Sequence, residues 1–164
     1  MSWKTVALAD CPFVPWRNAC GRTRELLVWP GAGRWHLRVS VAEIEADAPF
    51  SSFEGIERCF AVLEGEGVTL ALPQGARRLD AQSRAVRFAG EAAPMCHLID
   101  GPTRDLNLMA QRDAGRIHLR RDPLAEGVWR WRGQFAADTL WWTDDPALPW
   151  PAASAGWWMG LEAT

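Results

Sequence analysis

Apolar and polar residues alternate most regularly between Trp35 and Val41, where Trp35, Leu37, Val39 and Val41 interleave with His36, Arg38 and Ser40. A period of two predicts a half-buried strand, because successive side chains leave a strand on opposite faces. The pattern returns at Leu106 and Leu108 against Asp105 and Asn107, and at Ile117 and Leu119 against Arg116, His118 and Arg120. Cys59 to Leu63 and Val68 to Leu72 are unbroken apolar runs separated by Glu64-Gly65-Glu66-Gly67, a spacing that predicts a hairpin between two paired strands. Further turn signals stand at Pro30-Gly31-Ala32-Gly33, Pro73-Gln74-Gly75, Ala89-Gly90-Glu91, Asp100-Gly101-Pro102 and Asp113-Ala114-Gly115. No long segment keeps apolar residues at helical spacing, so the pattern predicts an all-β sandwich or barrel with little helix. Asp144 to Ala155, rich in Pro and Ala, reads as an irregular surface segment.

Composition narrows the class. The chain has 164 residues and a net charge of −2, with 48% hydrophobic and 23% charged residues, which suits one domain over 1–164. Nucleic acid is an unsuitable partner, because phosphate binding needs clustered Lys and Arg and the sequence shows no basic stripe. No apolar run approaches the length of a membrane span, and Met1 to Thr5 lacks a signal-peptide core, so the expected location is the cytoplasm. Cys11, Cys20, Cys59 and Cys96 are widely and unequally spaced, as inert thiols are, and form no redox pair or zinc spacing.

Other chemistries are weakly represented. His36, His97 and His118 are scattered, with neither H-x-H nor H-E-x-x-H, so no metal and no cofactor are expected. No G-x-S-x-G elbow surrounds a serine, and Gly65-Glu66-Gly67 lacks the third glycine of a phosphate loop. The carboxylate pairs Glu43 and Glu45, and Asp144 and Asp145, read as solvated faces. The 11 Trp and absent Tyr stand out. Trp129 and Trp131, two apart, are expected to share a strand face, and with Trp141, Trp142, Trp150, Trp157 and Trp158 they form a core, a homodimer contact or a surface that stacks on sugars.

Three segments carry a family resemblance: Trp16-Arg17-Asn18-Ala19-Cys20-Gly21-Arg22-Thr23-Arg24-Glu25-Leu26, then Ser40 to Arg58, then Asp100-Gly101-Pro102-Thr103-Arg104-Asp105-Leu106-Asn107-Leu108-Met109. In this order the chain resembles the HutD/Ves family of cupin-like proteins over roughly residues 3–145. The resemblance implies a cupin-type jelly-roll β-barrel, single or bicupin-like, and an association with bacterial histidine utilisation. Ala19 and Cys20 stand where the family pattern has glycines. If those glycines serve a left-handed backbone, a β-carbon there costs energy.

The candidate ligand-binding residues are Asn18, Thr23, Glu25, Arg58, Asp105 and Asn107, the first three carried over from the family pattern. Asp105 and Asn107 are expected on one strand face; inside a barrel they need partners or a ligand. Arg58 either pairs with Asp105 or Glu25 as a structural network or stays free to grip a ligand carboxylate. The resemblance implies a non-catalytic regulator that binds a small carboxylate of histidine degradation, such as urocanate or a formylated glutamate. The alternatives are a metal-independent, isomerase-like cupin enzyme with Asp105 or Glu25 as base, and a carbohydrate- or aromatic-ligand-binding module using the tryptophans.

Overall fold

The alternation at Leu37, Val39 and Val41 lies within a strand, Leu37–Ile44, in the computed structural model of the chain, which describes residues 2–151 and 155–164. Trp35 and His36 precede that strand. In chain order the strands are β1 (Lys4–Ala7), β2 (Phe13–Pro15), β3 (Gly21–Trp29), β4 (Leu37–Ile44), β5 (Ala48–Pro49), β6 (Ile56–Glu64), β7 (Val68–Leu72) and β8 (Gly75–Leu79). They continue as β9 (Val86–Ala89), β10 (Met95–Leu98), β11 (Thr103–Gln111), β12 (Arg116–Arg120), β13 (Trp129–Ala136), β14 (Thr139–Thr143) and β15 (Trp157–Glu162). Helix among the described residues is confined to three single 3₁₀ turns, and none is long and apolar enough to cross a membrane.

Three antiparallel sheets result. A central six-stranded sheet runs β2-β3-β4-β11-β6-β9, a five-stranded sheet β1-β14-β13-β15-β12, and a four-stranded sheet β5-β10-β7-β8. The period of two sends alternate residues of the central sheet into two different cores. Leu37, Val39 and Val41 of β4, Cys59 and Ala61 of β6, and Leu106 and Leu108 of β11 meet Trp131, Phe135, Met159 and Leu161 of the five-stranded sheet. On the opposite face Ile44, Phe60 and Val62 meet Val68, Leu70 and Cys96 of the four-stranded sheet. Each buried aliphatic side chain in either core contributes about 1.5–3 kcal/mol relative to exposure.

The segment Glu64-Gly65-Glu66-Gly67 is not a hairpin. β6 pairs with β11 and β9, whereas β7 pairs with β8 and β10, so these residues carry the chain from one sheet to another. Both glycines have positive φ, +99° and +104°, and a β-carbon on Gly67 would strike the Leu79 carbonyl. Only glycine combines that backbone with so close an approach, and a corner needs it as much as a hairpin does.

Trp129 and Trp131 do not share a face either. The register against β15 slips between them, so Trp129 opposes Glu162 while Trp131 opposes Leu161. A bulge of this kind breaks the alternation by one residue. Trp131 is fully buried in the first core, and Trp129 lies on the outer side, edge-on to His118 with ring centroids 5.3 Å apart. Trp157 and Trp158 are buried, and Trp141 is 41% exposed. Asp144 to Pro151 is irregular as expected; the rest of that stretch includes residues 152–154, which lie outside the described residues.

Candidate functional site

The strand period that builds the first core places the intervening residues on the other face of the central sheet. Asn107 of β11 lies opposite Ser40 of β4 and Phe60 of β6, and Met109 lies opposite Arg38 and Arg58. Thr23 and Glu25 of β3 lie opposite Ala42 and Ser40. Toward this end of the sheet the second core gives way to a cavity of about 710 Å³, walled partly by the segment from Val14 to Asn18 and by Phe50, Ser51 and Phe53. A volume of that size suits a small organic molecule. Thr23, Glu25, Arg58, Asn107 and Asn18 all line it.

Arg58 dominates the inner end. It is 5% exposed, and its Nη2 donates to Asn107 Oδ1 at 3.0 Å. Its Nε and Nη1 are buried without a hydrogen-bond partner, and among the described residues no carboxylate lies within 4 Å. Neither Asp105 nor Glu25 neutralises it. Instead the rings of Phe50, Phe53 and Phe88 stand 5.0, 5.4 and 5.2 Å from its Cζ. Ring faces attract a cation without supplying a hydrogen-bond acceptor. Burial lowers the guanidinium pKa to about 10, which leaves it charged at neutral pH. With Asn107 Oδ1 turned toward Arg58, its NH₂ group adds a further donor. The inner end therefore offers N–H groups and positive charge, the chemistry of an oxyanion receptor.

The mouth differs. Arg38 Nη2 and Nε both donate to Glu25 Oε1, at 2.6 and 3.1 Å, so opposite charges cancel there. Trp16 Nε1 donates to Thr23 Oγ1 at 2.8 Å, which fixes an indole in the cavity wall. Asn18 Oδ1 accepts from the Cys20 amide at 3.0 Å, so this oxygen serves its own turn and its NH₂ is left for other contacts. In that turn Ala19 has φ +59°, the left-handed conformation anticipated for a position where glycine is expected.

Asp105 shares the strand face of Asn107 but lies deeper, between Ala42 and Val62, and does not line the cavity. It is fully buried; Thr103 Oγ1 donates to Oδ2 at 2.8 Å and Oδ1 has no partner. Burial raises its pKa to about 8, against the smaller opposing effect of the Thr103 hydrogen bond. The carboxyl group is thus mainly protonated at neutral pH.

Among the described residues no group of three or more His, Cys, Asp or Glu is arranged to hold a metal ion. His97 Nδ1 meets Asp47 Oδ2 at 3.1 Å on the surface, and His118 Nε2 meets Glu162 Oε2 at 2.8 Å. All four cysteines are free thiols; Cys59 and Cys96 are buried and their pKa values rise to about 12. Sequence reasoning passed over Arg38, Ser40, Trp16 and the three phenylalanines around Arg58. The signal for Arg38 and Ser40 was present, since they alternate with Leu37 and Val39; the ring cage comes from separate segments and has no local signature.

The HutD family model matches residues 8–145. The chain is 36% identical over 113 residues to an uncharacterized 21.2 kDa protein in the hutC 3′ region of Pseudomonas putida, a match covering 68% of this chain and 60% of that protein. It is 30% identical over 148 residues to Protein Ves of Cronobacter sakazakii, covering 88% of this chain and 81% of that one. The chain thus spans less than two thirds of the Pseudomonas putida relative. Among solved structures, HutD from Pseudomonas fluorescens SBW25 superposes with a TM-score of 0.79 at 23% identity, over 98% of this chain and 97% of that one. The cupin domain of Schizosaccharomyces pombe Cnp3 gives 0.51 at 12% identity, over 64% and 72%. These likenesses establish a cupin-type fold.

Proposed function

The chain belongs to the HutD family, and from that premise we propose that it is a non-catalytic binding protein that senses a small carboxylate of histidine degradation, of the urocanate or formylglutamate kind. One observation supports the reading above the others: among the described residues Arg58 is a buried cation with two unpartnered N–H-bearing nitrogens and no carboxylate beside it, and it lines the cavity. Maintaining such a group costs stability unless an anion completes it. A ligand carboxylate on Arg58 and Asn107 supplies that anion, and Phe50, Phe53 and Trp16 offer apolar walls to the rest of the molecule.

A metal-independent isomerase requires a base at the cavity. Asp105 stands outside the lining and Glu25 is tied to Arg38, so binding without turnover is the better-supported reading. Calorimetric titration with urocanate and N-formyl-L-glutamate tests it, with tryptophan emission as a second reading because Trp16 lines the cavity. The expected result is saturable 1:1 binding of at least one compound, weakened about 30-fold or more by Arg58→Ala, with the ligand recovered unchanged. Binding that is indifferent to Arg58→Ala contradicts the site, and a product of altered mass establishes an enzyme instead.

A further inference from the structure

A second, smaller cleft of about 270 Å³ lies on the reverse face of β3, β4 and β11, where the end of β1, the segment that follows it and the β13–β14 turn cross the central sheet. Its charged residues are Arg24, Glu43, Arg104 and Asp138. Both carboxylates are engaged. Glu43 Oε2 accepts from Arg22 Nε at 2.8 Å, and Asp138 Oδ1 accepts from Arg104 Nη2 at 2.5 Å, with Glu64 a further 3.5 Å from Arg104.

Arg24 is left over. Among the described residues it has no carboxylate within 4 Å, and its Nη1 reaches the Leu8 carbonyl oxygen only at 3.3 Å, long for an N–H···O bond. Its Nε is buried without a partner, as is the Nε of Arg104 across the cleft. The ring of Phe13 lies 3.7 Å from Arg24 Cζ and 3.6 Å from Arg22 Cζ, so stacking holds a guanidinium that has no ion-pair partner among the described residues. Two arginines and two carboxylates line the cleft, and among the described residues Arg24 is the one of the four without an ion pair, beside a space large enough for a polyatomic anion.

We propose that this cleft binds a small oxyanion on Arg24, with Arg104 as the second donor. The site is separate from the Arg58 cavity: Arg24 lies between Thr23 and Glu25 on β3, and the strand period turns it to the opposite face. The proposal therefore does not depend on the reading of the larger cavity.

The test is a titration of the full chain with inorganic phosphate at constant ionic strength, followed through the arginine Nε–H resonances, in wild type and in Arg58→Gln, Arg24→Gln and Arg24→Lys. The expected result is saturable shifts of the Arg24 and Arg104 resonances, retained in Arg58→Gln and weakened about tenfold or more in Arg24→Gln. Arg24→Lys keeps the charge without the planar fork, and binding intermediate between wild type and Arg24→Gln is expected; its folded spectrum separates lost binding from lost structure. Absence of saturation, equal shifts with chloride, unchanged affinity in Arg24→Gln, or loss of binding in Arg58→Gln overturns the proposal.

Discussion

The two faces of the central sheet share one backbone and each carries a hydrophobic core, but they part company at the end that holds the larger cavity. On one, Leu37, Val39, Leu106 and Leu108 are sealed against Trp131, Met159 and Leu161. On the other, one residue out of step, Ser40, Asn107 and Arg58 border a cavity and Asp105 is buried beyond it. Dispersion and apolar burial make the first face a source of stability. The second retains polar and charged groups whose desolvation opposes folding. Sealed and cavity-bordering positions thus alternate along one strand, and substitutions at the two sets of positions are expected to differ in kind.

The largest effect is expected on the dry face. Trp131→Ala removes a fully buried indole and should cost about 3–5 kcal/mol in urea unfolding. A loss below about 1 kcal/mol would erase the contrast between the faces.

Asp105 gives the next effect, with an opposite sign. Its folded pKa of about 8 stands above an unfolded value of about 3.9, so the native state keeps a proton that the unfolded chain releases. Rising pH through that window favours unfolding, by at most about 1.4 kcal/mol per pH unit, and the penalty is complete above pH 8. Asp105→Asn should flatten this dependence, so that the variant gains stability relative to wild type as pH rises from about 4 to 8. Parallel stability–pH profiles for wild type and variant would show instead that the carboxyl group is ionised in the fold.

The smallest effect belongs to the mouth. Ala19 holds a left-handed φ that disfavours a β-carbon by roughly 1–2 kcal/mol, while glycine gives back part of this through its freer unfolded chain. Ala19→Gly should stabilise by a few tenths to about 1 kcal/mol, read as a small rise in Tm with ligand affinity kept. A fall in Tm would mean that the turn tolerates the alanine without strain.

Much of this was legible in the alternation itself. Leu37 and Val39 against Arg38 and Ser40, and Leu106 and Leu108 against Asp105 and Asn107, identify both faces of two central strands without coordinates. Pairing between strands was less accessible. The glycines at 65 and 67 signal a sharp change of direction, but whether the next strand pairs or leaves for another sheet is decided by distant contacts, here with Leu79 and Thr103. The bulge between Trp129 and Trp131 is likewise set by β15 and leaves no mark in the spacing of the two tryptophans. At the site, the polar residues were visible one at a time. That Glu25 would take Arg38, leaving Arg58 to Asn107 and three phenyl rings, depends on reach across strands, which one-dimensional spacing does not contain.

The central claim is that Arg58 is kept for a ligand and not for the fold. Arg58→Met tests it when urea stability and urocanate and N-formyl-L-glutamate binding are measured on the same preparation. The account predicts stability equal to wild type or higher by about 1–2 kcal/mol, because a buried unpaired charge is removed, together with loss of binding. A variant destabilised by several kcal/mol, or one that binds as wild type does, would contradict it.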